Sequence, residues 1–260
     1  MKTLRKATIL MACASVLLLT FSCKNTGQKN VQDGNGDPSS ISQTKSPAKI
    51  EAVVDGNTVT YGDHSYTVSG EISTPGSTPT AFVTFTNIPS GYKEFETVYN
   101  ALLGKSIQGT GAMIPMAIEI YARDREEGNK CFNLLCYSTA TVNNITRILD
   151  TKLSPSQYSP QNDPYLQRYM AAALLKGANN KNAYSPDMPY TVEMCASPNG
   201  VHETQDGTVT YTYILADGWD TRQRGVEIFQ AEGSPLYKVF NCPSCYTQCK
   251  NIKGEWQGLN

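Results

Sequence analysis

Residues 50–260 predict a single α+β domain, on three observations. Alternating, β-branched stretches occupy Ile50 to Ile88, helical spacing replaces them after Pro89, and strands joined by short glycine turns return from Tyr190. Strands, then helices, then strands is the order of an α+β domain, and the short connections favour antiparallel neighbours over crossovers.

Each element has its own signal. Val53, Val59, Tyr61, Tyr66, Val68 and Phe82-Val83-Thr84-Phe85 alternate, with Asp55-Gly56 and Gly62-Asp63 as turns, so three or four short N-terminal strands are expected. Phe95, Val98, Tyr99 and Leu102 fall at helical spacing, and Met113, Met116, Ala117, Ile120 and Tyr121 continue it until the charged run at Asp124 to Glu127. That predicts two helices separated near Gly104 to Gly111, a third from Lys130 to Leu149, and a fourth from Pro164 to Lys176 with Gly177 as its stop. C-terminal strands are expected at Tyr190 to Ala196, Thr208 to Ala216, Val226 to Gln230 and Leu236 to Phe240, joined by Asn199-Gly200, Asp206-Gly207 and Asp217-Gly218. They form the C-terminal antiparallel sheet.

The N-terminus reads as an export signal. Lys2, Arg5 and Lys6 precede an apolar run from Ala7 to Phe21, and Ser22-Cys23 follows. The run holds 15 residues, short of the ~20 that a spanning helix needs. Leu19-Thr20-Phe21-Ser22-Cys23 resembles the end of a lipoprotein signal, with residues 1–22 as the signal peptide and Cys23 as the acylated residue, although Thr20 stands where an aliphatic residue is usual. Leu10-Met11-Ala12-Cys13 matches the motif locally, but cleavage there would leave Val16 to Phe21 in water. Residues 23–49 then form the lipidated cysteine and a tether, in which Val31 and Ile41 are the only sizeable apolar side chains. A flexible coil of that length would hold the domain roughly 25 to 30 Å from lipid.

The chain has 22 basic and 23 acidic residues, a net charge of −1. Loss of Lys2, Arg5 and Lys6 with the signal leaves 19 against 23, or −4. Nucleic acid is not an expected partner, because phosphate binding demands clustered Lys and Arg.

With Cys13 in the signal and Cys23 acylated, six cysteines remain: Cys131, Cys136, Cys195, Cys242, Cys245 and Cys249. An even number in an exported chain reads as disulfides, whose connectivity the sequence leaves open. Cys195 is the favoured partner for the C-terminal cluster, and Cys131 with Cys136 is disfavoured because five residues on a continuous helix face them apart. Cys242-Pro-Ser-Cys245 resembles a thiol-oxidoreductase motif but lies after antiparallel strands, and zinc on Cys242, Cys245 and Cys249 lacks a nearby histidine.

Other chemistry is thin. His64 and His202 both sit beside expected turns, and His202 reads as an exposed turn residue. Asp33-Gly-Asn35-Gly-Asp37 opens like a calcium loop but has Pro38 and Thr44 where Gly and Glu are required, and Gly109-Thr-Gly111 starts a dinucleotide fingerprint without its strand or its third glycine. No metal and no cofactor is expected. The loop carrying Trp219, Asp220, Arg222 and Arg224 concentrates the residue types that anchor interfaces, and a hairpin tip would expose them.

The stretches Gly111-Ala-Met-Ile-Pro-Met-Ala, Tyr165 through Ala171 to Ala178, Pro189-Tyr-Thr-Val and Gly218-Trp-Asp-Thr-Arg-Gln-Arg resemble an uncharacterised family of Bacteroidota and spirochaete lipoproteins, a domain of unknown function. The likeness covers roughly residues 90 to 250, and Asp217-Gly-Trp-Asp220 departs from that family's Gly-Gly-Ala-Asp form. It implies an envelope lipoprotein and leaves the function open.

Three functions remain open. The first is a binding module at the outer membrane, tethered to the bilayer through Cys23, with an envelope protein or glycan as partner. Lys24 to Gln32 lacks the acidic residues that Bacteroidota surface signals resemble, which favours the periplasmic face. The second is a cell-wall or glycan hydrolase using paired carboxylates. The third is a thiol oxidoreductase.

Overall fold

The computed structural model describes residues 50–153 and 167–259. Within them the chain is a single α+β domain: an eight-stranded antiparallel sheet in strict sequence order, with four helices inserted between its fourth and fifth strands. The strands are β1 (Ala52–Asp55), β2 (Thr58–Tyr61), β3 (His64–Gly70), β4 (Ala81–Phe85), β5 (Tyr190–Thr204), β6 (Gly207–Leu215), β7 (Gln223–Ala231) and β8 (Tyr237–Asn241). The helices are α1 (Tyr92–Ala101), α2 (Ile107–Arg123), α3 (Arg125–Leu135) and α4 (Thr139–Leu153). Among the described residues no helix is long and apolar enough to cross a membrane.

The first two hairpins close as their turn residues dictate. Asp55 faces Thr58 and Tyr61 faces His64, so each loop has two residues, with Gly56 and Gly62 at φ of 56° and 63°. Register then sorts the faces. Phe85, Val83 and Ala81 oppose Tyr190, Val192 and Met194, all buried against the helices, which leaves Phe82, Thr84, Thr191, Glu193 and Cys195 on the opposite face.

Every residue of α2 from Gly109 to Tyr121 is buried, as expected of a helix that is apolar all round and packed on all sides. Its glycines are contact points rather than breaks, which corrects the expected start after Gly111. A Cβ on Gly111 would lie 2.4 Å from the Met194 methyl, so a bare backbone lets the helix approach β5. Ser106 caps the helix by accepting from the Gly109 N–H at 3.0 Å.

The third expected helix is two. Cys136 turns extended, forms a parallel bridge with Val239, and is followed by a Tyr137 N–H that donates to the Val239 carbonyl at 2.8 Å. Helical spacing survives on both sides of this break, so periodicity alone joins them. The helix expected over Pro164 to Lys176 lies partly outside the described residues, and where described it is a 3₁₀ turn, Ala172–Leu174. Met170 to Leu175 are all buried, so this stretch has no solvent face to define a stripe. Asn199-Gly200 is likewise not a connection. β5 runs through it with an irregularity between Ala196 and Val201.

Candidate functional site

The loop between β6 and β7 does not present its tryptophan. Trp219 is 7% exposed, and the expectation that a hairpin tip would expose it is overturned by what covers it. The Gly218 carbonyl accepts from the Lys250 N–H at 2.8 Å and from the Tyr184 hydroxyl at 3.3 Å, which ties the loop down to the C-terminal segment. Tyr184 itself stacks on Tyr169 with ring centres 4.5 Å apart. Arg224 closes the other side, its Cζ lying 4.9 Å from the Trp219 ring centre. Arg224 also donates to the Thr221 hydroxyl at 2.9 Å and the Ser244 carbonyl at 3.4 Å.

Asp220 and Arg222 do face outward. Asp220 lies 3.3 Å from the Lys250 ammonium. Arg222 donates to Asp217 at 2.7 Å and to the Ser77 carbonyl at 3.3 Å, and lies 3.5 Å from the buried Glu193, which Lys176 approaches at 3.4 Å. Two guanidinium and ammonium groups therefore meet two carboxylates, and the cluster is close to neutral.

The six cysteines are buried, and all six are free thiols. Cys195 is not joined to the C-terminal cluster. It donates to the Gly76 carbonyl at 3.1 Å on the face away from α2, and β6 separates its strand from β7, beside which Cys245 packs. Two strand spacings, roughly 10 Å, exceed the reach of a disulfide. The case against pairing Cys131 with Cys136 also changes, because Cys136 has left the helix.

Cys242 and Cys245 do meet. They bracket a 3₁₀ turn in which the Cys245 N–H donates to the Cys242 carbonyl at 3.0 Å. The Cys242 thiol lies well above its ordinary range, through its hydrogen bond to Cys245 and then its burial. An oxidoreductase thiol is exposed and lowered, so the geometry is the reverse of what that chemistry needs. Cys249 faces elsewhere, with its backbone N–H donating to Gln167 at 2.9 Å. Among the described residues no three His, Cys, Asp or Glu converge as metal ligands.

His64 is held at its turn by a buried partner. Its Nδ1 lies 2.7 Å from the buried carboxylate of Glu94, which also accepts from the Tyr66 hydroxyl at 2.6 Å and from the Ser90 N–H and hydroxyl at 2.8 and 2.9 Å. Burial and this hydrogen bond both raise the Tyr66 pKa, so the phenol stays protonated. Glu94 is saturated and locks the start of α1 to β3.

A cavity of about 260 Å³ lies elsewhere, lined by Glu119, Ala122, Arg123, Leu153, Arg168 and Trp256. Glu119 and Arg123 are one helical turn apart on α2, and the Arg123 Nε donates to Glu119 at 2.9 Å. A second Arg123 nitrogen donates to the Leu259 carbonyl at 2.9 Å, drawing the C-terminal segment over the site. Burial raises the Glu119 carboxyl above its ordinary range, and Arg123 offsets part of that rise. Arg168 is exposed and makes no ion pair with the described residues. The Trp256 ring stands edge-on to Tyr169, centres 6.5 Å apart. Sequence reasoning passed over all four polar and aromatic residues. One signal was present: Glu119 is the lone charge in the apolar run Met113 to Tyr121, with Arg123 four residues on.

Among the described residues one carboxylate, Glu119, lines this cavity. A paired-acid hydrolase needs a second within about 5 to 10 Å across the cleft.

Residues 87–253 match the profile of a family described as Domain of unknown function (DUF6935). The chain belongs to that family. No curated protein and no solved structure matches it. The DUF6935 stretch begins after β4 and includes all four helices, β5 to β8, the Trp219 loop, Glu119, Arg123 and Arg168. Strands β1 to β4, His64 and Trp256 lie outside it.

Proposed function

We propose that this chain is an envelope lipoprotein, acylated at Cys23 and tethered on the periplasmic face of the outer membrane, whose domain binds a ligand without turning it over. The observation that carries this reading is the cavity at Glu119, Arg123, Arg168 and Trp256. It sets Ala122, Leu153 and Trp256 against three charged groups, one of them a carboxyl of raised pKa. Binding sites of this kind are oriented by few polar contacts, and the Arg123 contacts to Glu119 and Leu259 hold the wall in place before a ligand arrives.

Two experiments test it. Palmitate labelling is lost in Cys23→Ala and kept in Cys13→Ala; label surviving in Cys23→Ala removes the anchor. The full chain incubated with purified cell wall releases neither sugars nor peptides. Release of either places it among the hydrolases.

A second reading places an envelope protein on Arg222, which is 41% exposed and held by Asp217 and the Ser77 carbonyl. Arg222→Ala then weakens the partner complex while leaving the cavity's ligand unaffected.

A further inference from the structure

We infer that the Glu119–Trp256 cavity takes one pyranose ring bearing one carboxylate, a uronic acid or a related sugar acid, an inference that rests on the binding-module reading above. The size sets the first limit. About 260 Å³ is below the roughly 300 to 1,000 Å³ of sites for drug-sized ligands. A single small ring fits within it.

Charge sets the second limit. Arg123 is balanced by Glu119 and has already committed its Nε to that carboxylate and another nitrogen to Leu259. Arg168 has no ion-pair partner among the described residues, whose charged groups at this cavity are two guanidiniums against one carboxylate. One guanidinium fork matches one planar carboxylate with two parallel hydrogen bonds. A phosphate dianion is disfavoured, because its second charge would face Glu119 across a small cavity where the described residues offer no further cation to balance it.

The remaining lining suits a sugar. Trp256, with Ala122 and Leu153 beside it, offers an apolar wall to the C–H face of a pyranose. Glu119 and the last free Arg123 nitrogen offer an acceptor and a donor to ring hydroxyls. The elements are independent: α2 supplies Glu119 and Arg123, the chain after α4 supplies Arg168, and the C-terminal segment supplies Trp256.

The test titrates the full-length protein in detergent micelles with glucuronate, galacturonate, glucose and glucose 6-phosphate, following the heat of binding by calorimetry. One or both uronates bind at least tenfold more tightly than glucose, and glucose 6-phosphate gains no such advantage. Arg168→Ala removes the advantage of uronate over glucose, and Trp256→Ala weakens both sugars. Both side chains sit at the rim, and an unchanged thermal melt of each variant shows that the fold is intact.

Preferential binding of glucose or of glucose 6-phosphate, lost in Trp256→Ala, overturns the sugar-acid assignment and leaves the binding site standing. No signal from any of the four at millimolar concentration overturns the assignment as well. In that case an unrelated envelope ligand whose binding survives Trp256→Ala also removes the cavity as the binding site. Leu153 and Arg168 flank residues 154–166, so one further variant replaces that stretch with glycine and serine. Uronate binding that appears only in this variant shows that the chain itself covers the cavity, and overturns the proposal.

Discussion

Arg224 lies over the Trp219 ring at 4.9 Å, and the indole beneath it is 7% exposed. The pair packs the β6–β7 loop against the body of the domain, so its contribution is to stability. Trp219→Ala is expected to lower the unfolding free energy by about 3 to 5 kcal/mol, through lost burial and the cavity left behind. Trp219→Phe costs much less, because it keeps most of the buried area and deletes an indole N–H that has no acceptor among the described residues. Arg222→Ala, on a half-exposed and screened side chain, stays within about 1 kcal/mol. Urea melts of the three variants should separate in that order; equal losses would mean that the loop is not packed as described.

The thiols make a second prediction. Non-reduced peptide mapping of protein taken from the envelope should show any bridge between Cys242 and Cys245, whose turn sets their Cα atoms within the ~7 Å limit. Cys195 stays a thiol. Burial pushes Cys131, Cys136 and Cys249 up to about 12, so alkylation of the folded protein at pH 8 should be slow at all three and become fast on unfolding. A Cys195 peptide linked to the C-terminal cluster would contradict the sheet order.

Glu94 makes a third. It is the common acceptor for the buried Tyr66 hydroxyl, the partly buried His64 and two groups of Ser90, so Glu94→Ala strands all four donors at once. A loss of about 3 kcal/mol is expected, against about 1 to 2 for Tyr66→Phe, where the carboxylate keeps its other partners. Chemical denaturation distinguishes them, and near-equal losses would reduce Glu94 to a single useful contact.

Glu119 has a defined sign against pH. Its folded-state pKa is raised by burial above the unfolded value, so between those two values the folded state binds more protons than the unfolded one. Stability is full below the ordinary Glu range and falls as pH rises through the raised value. Glu119→Gln should flatten that slope in melts across the mildly acidic range. A slope unchanged by the substitution would assign it to another group.

Much of the fold is legible in the sequence because its signals are local. Gly56, Gly62 and the Asp206-Gly207 turn mark hairpins within a few residues, and the alternation of Val59 to Phe85 fixes the buried face of the first strands. The errors come where distant chain decides. Gly109 and Gly111 look like a break until Leu103 and Met194 are placed against them, and Cys136 leaves its helix because Val239 offers it a strand edge. Trp219 looks like an anchor until Tyr184 and Lys250 are brought to its loop. The cavity was illegible for the same reason. Glu119 alone hinted at it, whereas Arg168 and Trp256 look like ordinary surface residues until the fold brings them to the same wall.

Every strand pairs with its neighbour in sequence, but one of those pairings is not local. Phe85 meets Tyr190 only after the helices have been threaded between them, closing a loop of about 100 residues at an entropic cost on the order of 4 kcal/mol beyond a constant. The other six pairings close through connections an order of magnitude shorter. The β4–β5 seam is therefore the slow step of assembly and the natural line of cooperative opening. Amide hydrogens of β1 to β4, the half-sheet that precedes the DUF6935 stretch, should exchange together and ahead of those of β5 to β7.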